Sequence, residues 1–132
     1  MGVLFWLSSQ PSIDAPMLFP GQDKVFHAGV YGILGIFLLG AMRPGAAGYA
    51  GRQILTGIVI ASLYGISDEF HQSFVPGRTP DVWDWVADTT GTLLAIVLLA
   101  RLARTFSRRL SPYRKGSDLY RKGSDLKSDP FR

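Results

Sequence analysis

Three stretches without a charged side chain constrain this chain more than any other feature. Val25–Met42 runs 18 residues without Asp, Glu, Lys or Arg, and Gln53–Ser67 runs 15. Thr89–Ala100 is the third, extended toward its N-terminus by Val82, Trp83, Trp85, Val86 and Ala87. At ~1.5 Å per residue, roughly 18–23 helical residues reach the ~30 Å of a bilayer core. A helix at a water-facing surface needs a polar side, which these segments lack, and a chain of 132 residues holds no further layer to cover them. The pattern therefore predicts an all-α, small multi-pass transmembrane helical bundle. Its three full spans are expected near Lys24–Met42, Gln53–Gln72 and Pro80–Leu102, with Pro80 as a first-turn residue of the last. The apolar Val3–Leu7 is expected to be a short remnant of a fourth helix.

Charge is segregated along the chain. The formal net charge is +4, but residues 101–132 hold 10 of the 14 basic groups and only 3 of the 10 acidic ones. The body before them carries 4 basic and 7 acidic groups, so the basic balance belongs to a tail and gives no support to nucleic-acid binding. The chain divides into a transmembrane domain, 1–104, and a basic tail, 105–132, containing a tandem repeat of Tyr-Arg-Lys-Gly-Ser-Asp-Leu at Tyr113–Leu119 and Tyr120–Leu126. Each unit offers one Leu and no second seam position, so the tail reads as disordered and cytoplasmic, drawn at most to anionic lipid.

Basic residues also set the expected topology. Arg43 and Arg52 flank the first connection, and Arg101, Arg104, Arg108 and Arg109 follow the third span, so both places belong on the cytoplasmic side. The N-terminal segment and the turn before Trp85 then lie outside, where nearly all the acids of the body fall. Trp6, Trp83 and Trp85 occupy the same level, as interfacial aromatics do.

Helical spacing gathers these acids. Asp23, His27, Tyr31 and Gly35 form one stripe; Ala61, Gly65, Asp68 and Gln72 a second, with Glu69 beside it; Asp81, Asp84, Asp88, Gly91 and Ala95 a third. Each is polar at the external end and small toward the cytoplasm, and small residues let helices approach closely in lipid. The polar ends are expected to converge in one cleft, because a carboxylate facing the bilayer centre costs about 2.5–3.5 kcal/mol. Lys24 and Arg78 are the cations available there to neutralise Asp or Glu and to grip a phosphate or carboxylate. No cofactor is required, but a divalent cation on His27, Asp68, Glu69, Asp84 or Asp88 suits the donor set. General acid–base work by His27 with Asp68, Glu69 or Asp84 is a further reading. His71 lies on another face. The sequence holds no GxSxG, Walker loop or HExxH, no Ser/His/Asp set that periodicity joins, and no cysteine for zinc or disulfide chemistry.

Phe5–Ser12 (FWLSSQPS), Asp23–Tyr31 (DKVFHAGVY), Tyr64–Gln72 (YGISDEFHQ), Phe74–Arg78 (FVPGR) and Asp84–Gly91 (DWVADTTG), in this order, resemble the VanZ-like membrane protein family over about residues 3–100. The resemblance implies a multi-pass helical protein of the cell envelope, in a family whose namesake is associated with resistance to the glycopeptide teicoplanin. The motif positions it carries over are Asp23, Lys24, His27, Asp68, Glu69, Gln72, Arg78 and Asp84, with Asp88 where many relatives have Asn or Asp. Together with Tyr31 these are the expected binding residues. Relatives have a complete apolar helix before the SSQ-like segment, so either the start codon is set late or this member lacks that helix. The leading expectation is action at the outer face on or near cell-wall precursor lipids or glycopeptides. The alternatives are a membrane enzyme, metal-dependent or not, acting on a phosphorylated or glycosylated lipid, and a structural or partner-binding module. Membrane lipids are the expected partners, with oligomeric state left open.

Overall fold

Helix starts and stops follow local chemistry. Gly21, left-handed at φ 79°, turns the chain into α2 (Gln22–Gly40), whose first turn carries Asp23 where the helix dipole favours an anion. The short α1 (Gly2–Ser8) precedes it. A connection with paired backbone hydrogen bonds between Gly45 and Gly48 leads to α3 (Gly51–Gln72). There the Gln53 side chain accepts from the Ala50 N–H at 2.8 Å and donates to the Arg43 carbonyl at 2.9 Å, satisfying one orphan donor of the helix start. Val75-Pro76-Gly77-Arg78 forms a turn with Gly77 at φ 79° and Arg78 N–H bonded to the Val75 carbonyl, the arrangement Pro-Gly favours. Asp81 then caps α4 (Val82–Lys127), its carboxylate accepting the Trp83 N–H at 2.9 Å. Pro80 stands outside the helix, one residue before the cap.

These are the elements of a computed structural model describing residues 2–10, 18–45 and 47–127, with the backbone alone for residues 3, 7 and 110–127. Helices are the only extended secondary structure among the described residues. The tail departs from expectation: α4 continues through both repeats to Lys127. The physical reason is that a helix already nucleated gains one backbone hydrogen bond for each residue it fixes, without meeting the nucleation cost again. Residues 128–132 lie outside the described residues.

Packing centres on α2 against α4. A Cβ at Gly91 would overlap the Ala28 carbonyl, and one at Gly32 would stand 3.4 Å from the Gly91 oxygen, so the two backbones touch. Thr92 donates to the Tyr31 carbonyl at 3.0 Å across this seam. Against α3, α4 inserts Ile96 beside Gly57 and Asp88 beside Gly65. Trp85 Nε1 donates to Ser62 at 3.1 Å, and Ser62 meets Thr89 at the same distance. The buried face of α4 is thus Asp84, Asp88, Thr92, Ile96 and Ala100. The expected small residues Gly91 and Ala95 both face Gly32 of α2, and beside them Thr92 and the bulky Ile96 are accommodated by Gly35 and Gly57 opposite.

Outward faces are apolar. Phe37 on α2, Leu55, Leu63 and Phe70 on α3, and Leu94 and Leu98 on α4 are all well exposed. Among the described residues two helices are long and apolar enough to cross a membrane, Gln22–Gly40 and the first part of α4, Val82–Arg109. The third expected span, α3, falls short of that hydropathy because it carries Asp68, Glu69 and Gln72. All three are buried, while Leu55, Val59, Ile60, Leu63, Ile66 and Phe70 of α3 point out.

Candidate functional site

The polar ends of α2, α3 and α4 meet at one end of the bundle. Lys24, near the start of α2, bonds Asp81 at 2.8 Å, Asp84 at 2.9 Å and Asp23 at 3.0 Å. This ion cluster joins α2 to the start of α4, and Lys24 holds the Asp81 carboxyl below the usual carboxylate range. One turn deeper, His27 Nδ1 meets Asp88 Oδ1 at 3.0 Å, with Asp84 4.0 Å from the other ring nitrogen. Asp88 is fully buried, as expected of a carboxylate inside an apolar span. Glu69 of α3 accepts the Asp81 N–H on Oε2 at 2.9 Å.

A cavity of about 300 Å³ lies beside this network, bounded by α1, α2, α3 and the turn after α3. Leu4, Phe26 and Val30 supply apolar wall; Ser8, Asp23, His27, Tyr31, Asp68, Gln72 and Arg78 supply polar groups. Of the ten expected binding residues, Asp23, His27, Tyr31, Asp68, Gln72 and Arg78 line it. Lys24, Glu69, Asp84 and Asp88 form the adjoining network. Among the described residues Arg78 pairs with no carboxylate: its Nε donates to the Gln10 carbonyl at 3.3 Å, because the Pro-Gly turn aims it at the segment after α1. The buried Tyr31 hydroxyl, on the cavity wall, has no hydrogen-bond partner among the described residues.

Sequence reasoning missed the contribution of α1. Ser8 donates to Asp68 at 2.5 Å, Gln72 donates to the other Asp68 oxygen at 3.2 Å, and Ser9 meets His71 Nε2 at 3.0 Å. Phe5 stacks on the His71 ring with centroids 4.3 Å apart. Periodicity within one helix cannot reveal a Ser–His pair drawn from two; the available signal was Ser8-Ser9-Gln10 closing an apolar run. Trp85 likewise turns inward to Ser62, while Trp6 and Trp83 are exposed as interfacial residues would be.

An all-helical bundle with apolar outer faces and an ionisable centre at one end defines a class, small helical proteins that keep a polar site away from their surroundings. The chain belongs to the VanZ/LLP1 family, whose model matches residues 3–104, from α1 into α4. That membership and the two apolar helices fit a membrane protein. Neither a curated protein nor a solved structure matches the chain.

Proposed function

We propose that this chain is a cell-envelope membrane protein that binds the polar head of a cell-wall precursor lipid at the outer membrane face. The observation that carries this reading is the two-sided cavity. Leu4, Phe26 and Val30 suit a hydrocarbon chain, while Arg78, His27 and the Tyr31 hydroxyl suit a phosphorylated or glycosylated head. The buried Tyr31 hydroxyl, without a partner among the described residues, marks a place where a ligand oxygen gains a hydrogen bond. A glycopeptide-resistance role follows if the precursor is shielded when bound.

In this reading α3 spans the membrane together with α2 and α4. Its polar residues are turned inward and its lipid-facing side is apolar, so the bilayer meets no charge. Orientation rests on the arginines. The Gly48 turn abuts the backbone of Arg104, so Arg43, Arg52, Arg101, Arg104 and Arg108 cluster at the end opposite the cavity, which is the cytoplasmic end.

The test is binding of a polyprenyl diphosphate-linked sugar to the full chain in nanodiscs. Saturable binding is expected, weakened about tenfold by Arg78→Gln and by Tyr31→Phe. Tyr31→Phe keeps or raises the melting temperature without ligand, since it removes a hydroxyl that no described residue pairs with. Absence of saturable binding, or variants that bind as the parent does, would overturn the reading. Teicoplanin added in place of the lipid separates capture of the antibiotic from capture of its target.

A further inference from the structure

Beside the cavity, and sharing His27 with its wall, the molecule holds a second arrangement. His27, Glu69 and Asp88 each present a ligand atom, and the three atoms lie within 4.8 Å of one another. They come from three helices, α2, α3 and α4, so the fold and not local sequence brings them together.

Two of these groups have bonding capacity left over. Glu69 uses Oε2 for the Asp81 N–H, and its Oε1 is buried without a partner among the described residues. Asp88 uses Oδ1 for His27, and its Oδ2 is likewise buried and unpartnered. Both residues are at least nine-tenths buried, with Glu69 9% and Asp88 0% exposed. A buried acceptor left without a hydrogen bond is costly, and more so when charged, so two in one cluster call for something positive between them. The described protein cations are committed elsewhere. Lys24 is held by Asp23, Asp81 and Asp84, and Arg78 points at Gln10.

We infer that His27, Glu69 and Asp88 form a binding site for one divalent metal ion. The mixed nitrogen and carboxylate set suits Zn²⁺ or Mn²⁺ better than Ca²⁺, which takes six to eight oxygens. Ligand atoms around such an ion stand about 3–4 Å apart, so the widest pair closes by about 1–2 Å at most, within reach of side-chain rotation. Of the five metal candidates expected from sequence, Asp68 and Asp84 stay outside the set. Asp68 is taken by Ser8 and Gln72, and Asp84 by Lys24.

The full chain, purified in detergent and stripped with chelator, is titrated with Mn²⁺ and then Zn²⁺, read by equilibrium dialysis and by melting temperature. One equivalent is expected to bind and to raise the melting temperature. Glu69→Gln and His27→Asn each weaken binding at least about tenfold, while Arg52→Gln at the far end leaves it unchanged. Stripped Glu69→Gln is expected to melt no lower than the stripped parent, because it removes one of two facing carboxylates and keeps the acceptor for Asp81. The site does not exist if the parent binds neither ion at about millimolar concentration, or if both variants bind as tightly as the parent. A Glu69→Gln protein that unfolds without metal also overturns it, since the carboxylate is then structural.

Discussion

Lys24 satisfies three carboxylates with one ammonium group, and each of its bonds reads differently in the folded chain. Asp84 is nearly enclosed, whereas Asp81 at the head of α4 remains in contact with solvent. Because Lys24 holds the Asp81 carboxyl below its ordinary range, folding favours the ionised form. That contribution is fully present above the unfolded value, about pH 4, and is lost as pH falls through the lower folded value. Thermal unfolding in detergent at pH 7 and at about pH 3 should show the parent losing stability on acidification. Asp81→Asn should start lower at pH 7 and lose less, giving a flatter acid limb. An unchanged slope in the variant would mean that Asp81 gains nothing from Lys24. The opposite pattern holds at Tyr31, where a hydroxyl is buried with no hydrogen-bond partner among the described residues.

At the scale of the helix, glycine decides which faces touch. Gly91→Ala places a methyl group where the Ala28 carbonyl stands, so α2 and α4 must separate. A loss of about 1–3 kcal/mol is expected, read as a lowered melting temperature in detergent. Gly29, on the same helix as Ala28, meets nothing, and Gly29→Ala should cost nothing or gain up to about 1 kcal/mol. Equal effects from the two would mean that the helices do not meet at Gly91. The contrast also shows what sequence made legible. Spacing of three and four put Asp23, His27 and Tyr31 on one face, and Asp84 and Asp88 on another, because a straight helix repeats itself and needs no partner to be read. It left open which of the carboxylates would meet His27 and which would be claimed by Lys24, since that depends on the rotation of one helix against the next. Gly32, Gly35, Gly57 and Gly65 set that rotation by admitting particular neighbours. The bonds from Ser8 and Ser9 to α3 join residues 60 and 62 positions apart, beyond the reach of any local pattern. The continuation of α4 to Lys127 was hidden by composition, since charged repeats read as solvated chain even where the helix before them is already nucleated.

At the scale of the whole molecule, charge and burial divide the bundle into two ends. The cavity, Lys24 and the acids occupy one; the Gly48 turn and the arginines beside Arg104 occupy the other. If α2, α3 and α4 all cross the bilayer, cysteines placed at Ala47 and Ser107 label from the cytoplasm and one at Thr79 labels from outside. The measurement is modification by a membrane-impermeant maleimide before and after permeabilisation of cells. Ala47 and Thr79 labelling from the same side would show that α3 does not cross, and a fully reversed pattern would invert the assigned orientation.

The helices around the cavity are unequally held. On one side α2 and α4 meet backbone to backbone at Ala28 and Gly91, while the seven residues of α1 reach α3 through the side chains of Phe5, Ser8 and Ser9. Among the residues lining the cavity none comes from α4, so α1, α2, α3 and the turn after α3 make its walls. If the cavity takes a membrane lipid as proposed, the seam that parts most readily to admit it is the one made by side chains alone, between α1 and α3.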